Sequence, residues 1–484
     1  MPPHKAPPTR PIMAAPDGPV VQLRILATSD LHAHILPWDE LTNTAAPDRG
    51  LAQVASLITA ARAEVAASLL LDNGDLLNGG PLADHMAETG LRRRGPAHPM
   101  IAAMNALGYD AATLGNHEFS HGLDHLKTAL GQAQFPVINS NLDRTSKGGA
   151  RPFVPRFAMI KRRLTDEAGQ GHDLTIGVMG LLPPQTVLWE RRHLHGKITA
   201  RDILSSARRA ERRLRRMGAD LVVVLSHSGL GCGVTPQENG ADENLSAFLA
   251  MIPGMDAVIA GHTHQVFPAS PEQGPSGARA PLVMPGCFGS HLGVIDLTVQ
   301  RGHAGWQVVT HRTEVRAVAR RVGPAGNITV LATSDPEIGR FAQSETEAMR
   351  RAAETTVGRT AVPLHSYFAL IGHSAIQTLL AEAQLSHMRR LLQGRSEAAL
   401  PMLTSVAPFK AGGRGGPLNF TDIAPGDLTA RHISDLYIHP NSAVALRVTG
   451  AEIALWLERA VSLFHQVTPG AQDAPLIDLA YPAF

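Results

Sequence analysis

Five apolar segments of this chain each end in polar residues, and this pattern limits the possible folds more than any other feature. The segments read ILAT, SLLL, DAAT, LVVVLS and DAVIA, and residues that can bind metals or protons follow each one. Predicted helices separate several of the segments, which favours an α/β fold with layered sheets. In such folds the strand ends share an edge, where ligand sites form. The polar residues at these ends are Asp30 with His32, Asp75, Asn116 with His117, His227, and His262 with His264.

The helices between these strands are predicted from apolar spacing. Residues 50–67 carry apolar side chains at helical intervals, and Val65 is counted with this set. Residues 98–108 form a second predicted helix, with Gly108 as its expected C-cap. A third helix is expected in the arginine-rich segment from residue 202, whose arginines are interpreted as a solvated face.

Composition excludes several classes of protein. Of 484 residues, 44% are hydrophobic and 18% are charged, which allows a sizeable core in two or three domains. The net charge of +2 gives no reason to expect a nucleic-acid polymer or a membrane as partner. No apolar run approaches the roughly 20 residues that a bilayer requires. The two cysteines, Cys232 and Cys287, exclude a disulfide scaffold and a cysteine-rich zinc site; one disulfide is possible, and two free thiols are favoured.

The donor set at the strand ends indicates a site for hard or borderline metal ions. It consists of oxygen and imidazole donors without thiolate, which suits Mn, Zn, Co or Fe. The donors considered are seven: Asp30, His32, Asp75, Asn116, His227, His262 and His264. Seven donors exceed what one four-coordinate ion needs, so two ions sharing a carboxylate would use them all. Paired ions of this kind serve phosphoryl displacement. For any single histidine the alternative is an ordinary polar turn residue.

The motifs themselves resemble those of a known family. The segments TSDLHAH, DNGDLLNGGPLADHM, LGNHEFSHGLDHL, VVLSHSGL and IAGHTHQVFP are similar to those of the calcineurin-like metallophosphoesterases, within the 5′-nucleotidase group. The segments MPGCFGSHLGVIDL, APFKAGGR and DLYIHPN also fit the bacterial 2′,3′-cyclic-nucleotide 2′-phosphodiesterase/3′-nucleotidase subfamily. The resemblance runs from about residue 21 to the chain end.

The resemblance implies a role for each site residue. One metal ion would be held by Asp30, His32 and His264, and the other by Asn116, His227 and His262, with Asp75 as the bridge. His117 would act beside the metals as general acid and electrostatic stabiliser. His34 matches no family ligand and is expected to be a turn residue.

The resemblance also implies the fold and the reaction. A four-layer metallophosphoesterase β-sandwich flanked by helices is expected over residues 21–325, a connecting helix over 326–356 and a nucleotidase C-terminal domain over 357–484. The expected reaction opens a 2′,3′-cyclic nucleotide at the 2′ oxygen and then hydrolyses the 3′-nucleotide. The substrate is a small-molecule nucleotide, and a monomer is favoured over an oligomer. The family is usually periplasmic, but the Pro-rich residues 1–20 are predicted to be a disordered tail or a mis-assigned start rather than a signal peptide.

Three departures from the family pattern bear on function. Ser120 stands where 5′-nucleotidases place an Asp that supports the catalytic histidine; the cyclic-phosphodiesterase subfamily also lacks this acid, so the resemblance implies that subfamily rather than a loss of activity. The position expected for a base-stacking ring is His439, with Tyr437 two residues earlier in a predicted strand–turn–helix segment; Arg414, in a glycine-rich loop, is a further substrate candidate or part of a plain flexible turn. The chain ends before the family's second domain is complete, so a truncated domain is expected. The open alternatives are a 5′-nucleotidase or nucleotide-sugar hydrolase, and a non-catalytic metal-binding product.

Overall fold

The computed structural model describes residues 18–91, 95–146, 149–231, 242–270, 277–303, 305–322, 327–372, 374–413, 419–438 and 441–478. The chain divides into two compact units, Met1–Met349 and Arg350–Phe484. The division falls within a helix that spans Pro336–Ala353, inside the segment expected to be a connecting helix.

The first unit is a mixed α/β structure, as the sequence predicts. Its strands are β1 Val20–Thr28, β2 Trp38–Asp39, β3 Thr44–Ala45, β4 Ser68–Asp72, β5 Ala111–Thr113, β6 Val137–Ile138, β7 Leu142–Arg144, β8 Arg151–Pro152, β9 Phe157–Thr165, β10 Gly171–Leu181, β11 Ile198–Ala200, β12 Leu221–Ser226, β13 Ala257–Ala260, β14 Val266–Phe267, β15 Leu282–Pro285, β16 His291–Gly302, β17 Gly305–Ala317, β18 Ala319–Val322 and β19 Asn327–Val330. Its helices are α1 Leu51–Ala63, α2 Pro81–Thr89, α3 Pro99–Leu107, α4 Leu123–Leu130, α5 Thr186–Trp189, α6 Arg191–Leu194, α7 Ile203–Arg216, α8 Ser246–Leu249 and α9 Pro336–Ala353, with a 3₁₀ turn at His117–Phe119.

Two six-stranded sheets form the centre of this unit. The first has the order β17-β16-β1-β4-β5-β6 and the second the order β14-β15-β13-β12-β10-β9. Strands β1, β4, β5 and β6 run parallel in the first sheet, as do β10, β12, β13 and β15 in the second. Because parallel strands end at the same edge, the polar ends of β1, β4 and β5 lie side by side, and so do those of β12 and β13.

Successive residues of the central strands enter different cores. In β1, Ile25 packs between the two sheets with Leu69 and Val223, whereas the next residue, Leu26, faces the helix layer with Val54 of α1. The outer face of the second sheet packs against α7. The order helix, sheet, sheet, helix confirms the predicted four-layer sandwich. This arrangement also explains why the strands are continuously apolar, since both faces are buried.

Predictions for individual helices are confirmed with small corrections. Gly108 ends α3 with a φ of 66°, the left-handed conformation expected of a C-cap glycine. Val65 does not belong to α1, because the helix ends at Ala63. Strand β1 begins at Val20.

The second unit contains strands and helices around a small core. Its elements are β20 Thr356–Thr360, β21 Leu364–His365, β22 Asp422–Ile423, β23 Gly426–Thr429, α10 Ala375–Leu391, α11 Ala430–Leu436 and α12 Gly450–Val461, with a 3₁₀ turn at Ser396–Ala399. The buried apolar side chains of this core are Leu364, Ile376, Ile423, Leu428 and Leu436. Over half of the surface of Val444, Leu446 and Trp456 is exposed.

The predicted strand–turn–helix near Tyr437 is partly wrong. Helix α12 is present, but Asp435 and Leu436 belong to α11, and residues 441–449 form no strand with any part of the chain that the structure describes. A capping box between Thr429 and His432 starts α11, so the chain is helical as far as Leu436, where the strand was expected.

No helix in the described ranges is both long and apolar enough to span a membrane.

Candidate active site

The strand ends of both sheets bring the predicted donors together in two groups. Asp30, which follows β1, lies with His32 and His264, and Asp75, which follows β4, lies with His227 and His262. Within each group one ligand-type atom per residue lies within 4.8 Å of the others. All six residues were expected at this site from their positions after apolar strands.

The predicted seventh donor joins the second group. The Oδ1 atom of Asn116 lies 2.9 Å from His262 Nδ1 and 3.2 Å from His227 Nε2. Asp75 lies between the groups, since its Oδ2 atom is 3.1 Å from His227 Nε2 and 3.9 Å from His32 Nε2. This is the placement that a shared ligand would need.

The hydrogen bonds of two histidines fit a site that could hold a cation. His32 Nδ1 lies 2.6 Å from the carbonyl oxygen of Asn78, and His227 Nδ1 lies 2.8 Å from that of Asn73. A carbonyl only accepts, so each Nδ1 donates and, in the neutral ring, Nε2 presents a lone pair. For His227 that lone pair faces the oxygens of Asp75 and Asn116. Histidines that bind metals typically donate one ring N–H to a carbonyl or carboxylate and present the other nitrogen to the metal, as these two histidines could.

The electrostatics of the site agree with this geometry. Burial disfavours the charged form of His227, but Asp75 and Asp30 outweigh it and raise its pKa to about 10. Burial likewise opposes protonation of His264, yet hydrogen bonds with Asp30 and Cys287 raise its pKa to about 11. Against the cost of burial, His227 lowers the pKa of both aspartates. The carboxylates therefore create a negative field that a bound cation would neutralise.

The donor residues are held in unusual backbone conformations. A positive φ is uncommon outside glycine and is concentrated at functional sites, where the surrounding structure must impose it. Five of the seven donors adopt one: Asp30 at 53°, His32 at 48°, Asp75 at 54°, His262 at 71° and His264 at 58°. These turns follow the strands directly and aim the side chains at one another.

Two glycines allow the close packing of this site. A Cβ atom on Gly115 would lie 2.2 Å from Asp75 Oδ1 and 2.6 Å from His227 Cε1. On Gly261 it would lie 2.7 Å from Asp30 Oδ2. Side chains at either position would displace a donor.

A buried carboxylate that sequence reasoning left without a role fixes the loop after β4. Glu118 accepts hydrogen bonds from the backbone N–H groups of Asp75, Leu76, Leu77 and Gly115. The motif GNHE contains Glu118 and its partner Gly115, but nothing in the sequence shows that the other three partners lie about 40 positions earlier. Glu118 thereby connects the loop of Asp75 to the turn that carries His117.

His117 lies beside both donor groups. Its backbone N–H donates to Asp75 Oδ1 at 2.7 Å, and its carbonyl accepts from Asn78 Nδ2 at 2.7 Å. Its half-buried ring is edge-on to the ring of His32, with centroids 5.2 Å apart. The imidazole is therefore fixed next to the proposed metal positions without belonging to either group.

Two residues near the site have other contacts. His34 is buried, and its ring packs on Phe288 with centroids 4.4 Å apart; it is in neither donor group. Cys287 is a free thiol that is hydrogen-bonded to His264. Cys232 lies outside the described residues, so the prediction of two free thiols stays open for it.

Helices α5 and α6 add residues that the sequence did not reveal. The ring of Trp189 stacks on that of His262, with centroids 5.5 Å apart and planes 13° from parallel. The next residue, Glu190, accepts a hydrogen bond from Ser120 Oγ at 2.8 Å, across 70 positions of sequence. No motif or apolar period marks this segment, so only the tertiary structure reveals its place at the site.

In the second unit, the predicted substrate residues are only partly described. Tyr437 packs edge-on against Phe409, with ring centroids 4.7 Å apart. The adjoining Lys410 forms a buried ion pair with Asp435 at 2.5 Å, which fixes the APFK segment to α11. Arg414 and His439 lie outside the described residues.

Comparison with known proteins gives the chain a family. The sequence profile of the calcineurin-like phosphoesterases matches residues 23–266. The 2′,3′-cyclic-nucleotide 2′-phosphodiesterase/3′-nucleotidase of Salmonella typhimurium is 38% identical over 466 residues, covering 94% of this chain and 70% of that protein. The protein of the same description from Haemophilus influenzae is 36% identical over 470 residues, covering 95% of this chain and 70% of that protein.

Solved structures show the same fold. The calcineurin-like phosphoesterase YfkN from Bacillus subtilis superposes with a TM-score of 0.62 at 32% identity, covering 69% of this chain and 99% of that one. A putative 5′-nucleotidase from Staphylococcus aureus gives a TM-score of 0.67 over 92% of this chain and 77% of that one, at 22% identity, and so supports the fold alone. With its two donor groups at the strand ends of a four-layer sandwich, this chain belongs to the calcineurin-like phosphoesterase family.

Proposed function

We propose that this chain is a two-metal phosphoesterase that hydrolyses 2′,3′-cyclic nucleotides to 3′-nucleotides, and 3′-nucleotides to nucleoside and phosphate. The observation that carries the proposal is the meeting of two donor groups at Asp75, whose Oδ2 atom approaches a histidine of each group. Paired metal sites of this kind serve in-line attack at phosphorus. The choice of substrate is supported by the relatives that carry this activity in their names.

The seven donors hold two divalent ions in this proposal. Asp30, His32 and His264 would hold one ion, Asn116, His227 and His262 would hold the other, and Asp75 would contribute to both sites. Nitrogen and oxygen donors of this kind fit Mn, Zn, Co or Fe. When bound, such a pair of ions activates water and neutralises charge on the phosphoryl group.

His117 is the general acid in this proposal. Its imidazole gives a proton to the leaving ribose oxygen, which is the 2′ oxygen in the first step and the 3′ oxygen in the second. Its position supports this role, because its backbone is bonded to Asp75 and its ring lies beside His32. Imidazole is the side chain that most often serves as a general acid or base in catalysis.

The nucleoside is bound by residues of the second unit. Tyr437, which packs edge-on against Phe409, is the proposed stacking partner of the base, and such stacking contributes roughly 1–3 kcal/mol per base. The Lys410–Asp435 ion pair holds the two segments that carry these rings. Arg414 and His439 remain proposed substrate contacts on the strength of the family resemblance.

The test is hydrolysis of four esters by the purified chain with Mn²⁺: 2′,3′-cyclic AMP, 3′-AMP, 5′-AMP and bis-p-nitrophenyl phosphate. Turnover of the first two, lost in His117→Ala, is expected. His303→Ala is the matched control, since His303 is exposed in the turn at the far end of β16.

Other outcomes contradict defined parts of the proposal. Preference for 5′-AMP would replace the substrate assignment with a 5′-nucleotidase. Activity on the nitrophenyl ester alone would show working metals without nucleoside binding. A folded, metal-loaded chain that hydrolyses none of the four esters would overturn the enzyme assignment.

A further inference from the structure

The residue beside His117 departs from the 5′-nucleotidase pattern, and the structure shows what takes its place. Ser120 stands where those relatives are expected to have an aspartate. Its Oγ atom lies 3.5 Å from His117 Nδ1 and donates to Glu190 Oε1 at 2.8 Å. A carboxylate therefore lies one hydroxyl group away from the imidazole.

The direction of these hydrogen bonds follows from the donor inventory. An ionised carboxylate only accepts, so the hydroxyl proton of Ser120 is directed at Glu190. The lone pairs of the hydroxyl remain to accept from Nδ1–H of His117. The 3.5 Å separation is long, as catalytic hydrogen bonds often are before substrate binds. With Nδ1 engaged in this way, Nε2 of His117 is the nitrogen available to a leaving oxygen.

The Glu190 segment is fixed at the site by several contacts. The backbone N–H of Glu190 donates to the carbonyl of Thr186 at 2.9 Å. The side chain of His193 is hydrogen-bonded to the backbone of Ser120. Trp189, the preceding residue, stacks on His262. A half-buried carboxylate on so constrained a segment differs from a mobile surface glutamate, because little side-chain freedom remains to be lost when it binds Ser120.

We propose that Glu190 is a positioning residue for His117 and acts through Ser120. The relay Glu190–Ser120–His117 holds the imidazole in one orientation and one tautomer, and the negative charge of Glu190 strengthens the hydrogen bond with Ser120 on which the relay depends. This role parallels that of the aspartate in a Ser-His-Asp triad, which orients a histidine without being protonated. The inference rests on the proposed function of His117 as general acid.

The test uses esters that differ in how much they need a proton on the leaving group. Nitrophenolate leaves from p-nitrophenyl phosphate without one, whereas phenolate from phenyl phosphate and the ribose oxygen of 3′-AMP need more assistance. In Glu190→Gln we expect kcat to fall about 10- to 100-fold on 3′-AMP, a fraction of what general acid catalysis contributes, with little change in KM. The fall should be smaller on phenyl phosphate and less than about twofold on p-nitrophenyl phosphate.

A rescue variant separates the relay from a structural effect. Ser120→Asp in the Glu190→Gln background places a carboxylate next to the imidazole, and should restore most of the lost kcat on 3′-AMP. Glu167→Gln is the matched control, since Glu167 is exposed in the turn between β9 and β10. It should leave all three rates unchanged.

The outcomes distinguish this inference from the proposed function. Equal losses on all three esters, or no rescue by Ser120→Asp, would overturn the relay. If the wild type hydrolyses both aryl esters but no nucleotide, the nucleotide assignment fails, and the ratio of aryl ester rates still decides whether Glu190 acts on His117. A wild type without any phosphoesterase activity would overturn both.

Discussion

Replacing Glu118 by glutamine is expected to destabilise the loop that carries Asp75. Oε1 of Glu118 accepts from the N–H groups of Leu76 and Leu77, and Oε2 accepts from those of Asp75 and Gly115, at 2.6 to 3.1 Å. Glutamine has the same shape but replaces one oxygen with an NH₂ group. That group would face two backbone donors, so two hydrogen bonds are lost whichever way the amide turns.

The structure allows the size of this loss to be worked out. Hydrogen bonds to a charged group contribute about 1.5–3 kcal/mol each, so two of them amount to about 3–6 kcal/mol. Burial raises the pKa of Glu118, with Asp75 adding to the effect, so the wild-type charge itself has a cost and the lower half of this range is expected. The first unit spans Met1–Met349, and its unfolding entropy is about 0.7 kcal/mol per kelvin. Its Tm should therefore fall by about 4–6 °C.

Calorimetric scans of Glu118→Gln beside Glu167→Gln test this prediction. Calorimetric titration with Mn²⁺ adds a second measurement, because the loop that Glu118 holds carries Asp75, and Mn²⁺ should bind about 10- to 100-fold more weakly to the variant. A variant that keeps both the wild-type Tm and wild-type Mn²⁺ binding would show that the four hydrogen bonds do not stabilise the site.

Three further changes have defined outcomes. Gly115→Ala places a methyl group 2.2 Å from Asp75 Oδ1, so Mn²⁺ affinity measured by titration should fall at least about tenfold. Burial lowers the pKa of His98 to about 3. Below pH 6.5 the unfolded chain therefore binds a proton that the folded chain does not, so each pH unit down to about 3 lowers the free energy of unfolding by about 1.4 kcal/mol. In urea unfolding at pH 7 and pH 5, His98→Asn should lose less stability on acidification than the wild type. Lys410→Met leaves Asp435 buried without its cation and should destabilise the second unit by about 3–5 kcal/mol in thermal scans, and adding Asp435→Leu should recover most of this loss.

The donor positions could be predicted from sequence because the fold places them by a general rule. Asp30 and Asp75 follow parallel neighbours in one sheet, and His227 and His262 follow parallel neighbours in the other. Parallel strands align their ends, so residues distant in sequence become neighbours without any long-range information being needed. The four-layer order follows from the same strands, since a sheet that is apolar on both faces must be covered on each face by helices or by another sheet.

Other features depend on contacts that no local pattern encodes. Where a strand is predicted around Tyr437, the structure has the end of α11, a helix that begins at the Thr429 capping box and is joined to Lys410 by the ion pair of Asp435. The hydrogen bonds of Glu118 could not be predicted for a similar reason, since three of the four donors are backbone groups of another loop. The amino-acid composition of a segment does not reveal such tertiary partners.

At position 120 the tertiary contacts change what the sequence alone implies. From sequence alone, Ser120 weakens the support of His117, because a hydroxyl group brings no negative charge. In the structure Glu190 supplies the negative charge, and Ser120 lies between this carboxylate and His117. A shorter side chain at position 120 leaves room for a carboxylate from a separate segment. A departure from a family motif therefore counts as a loss of function only after the side chains around it in the structure have been considered. The rescue by Ser120→Asp makes the same point experimentally, because one substitution near His117 should compensate for another 70 positions away.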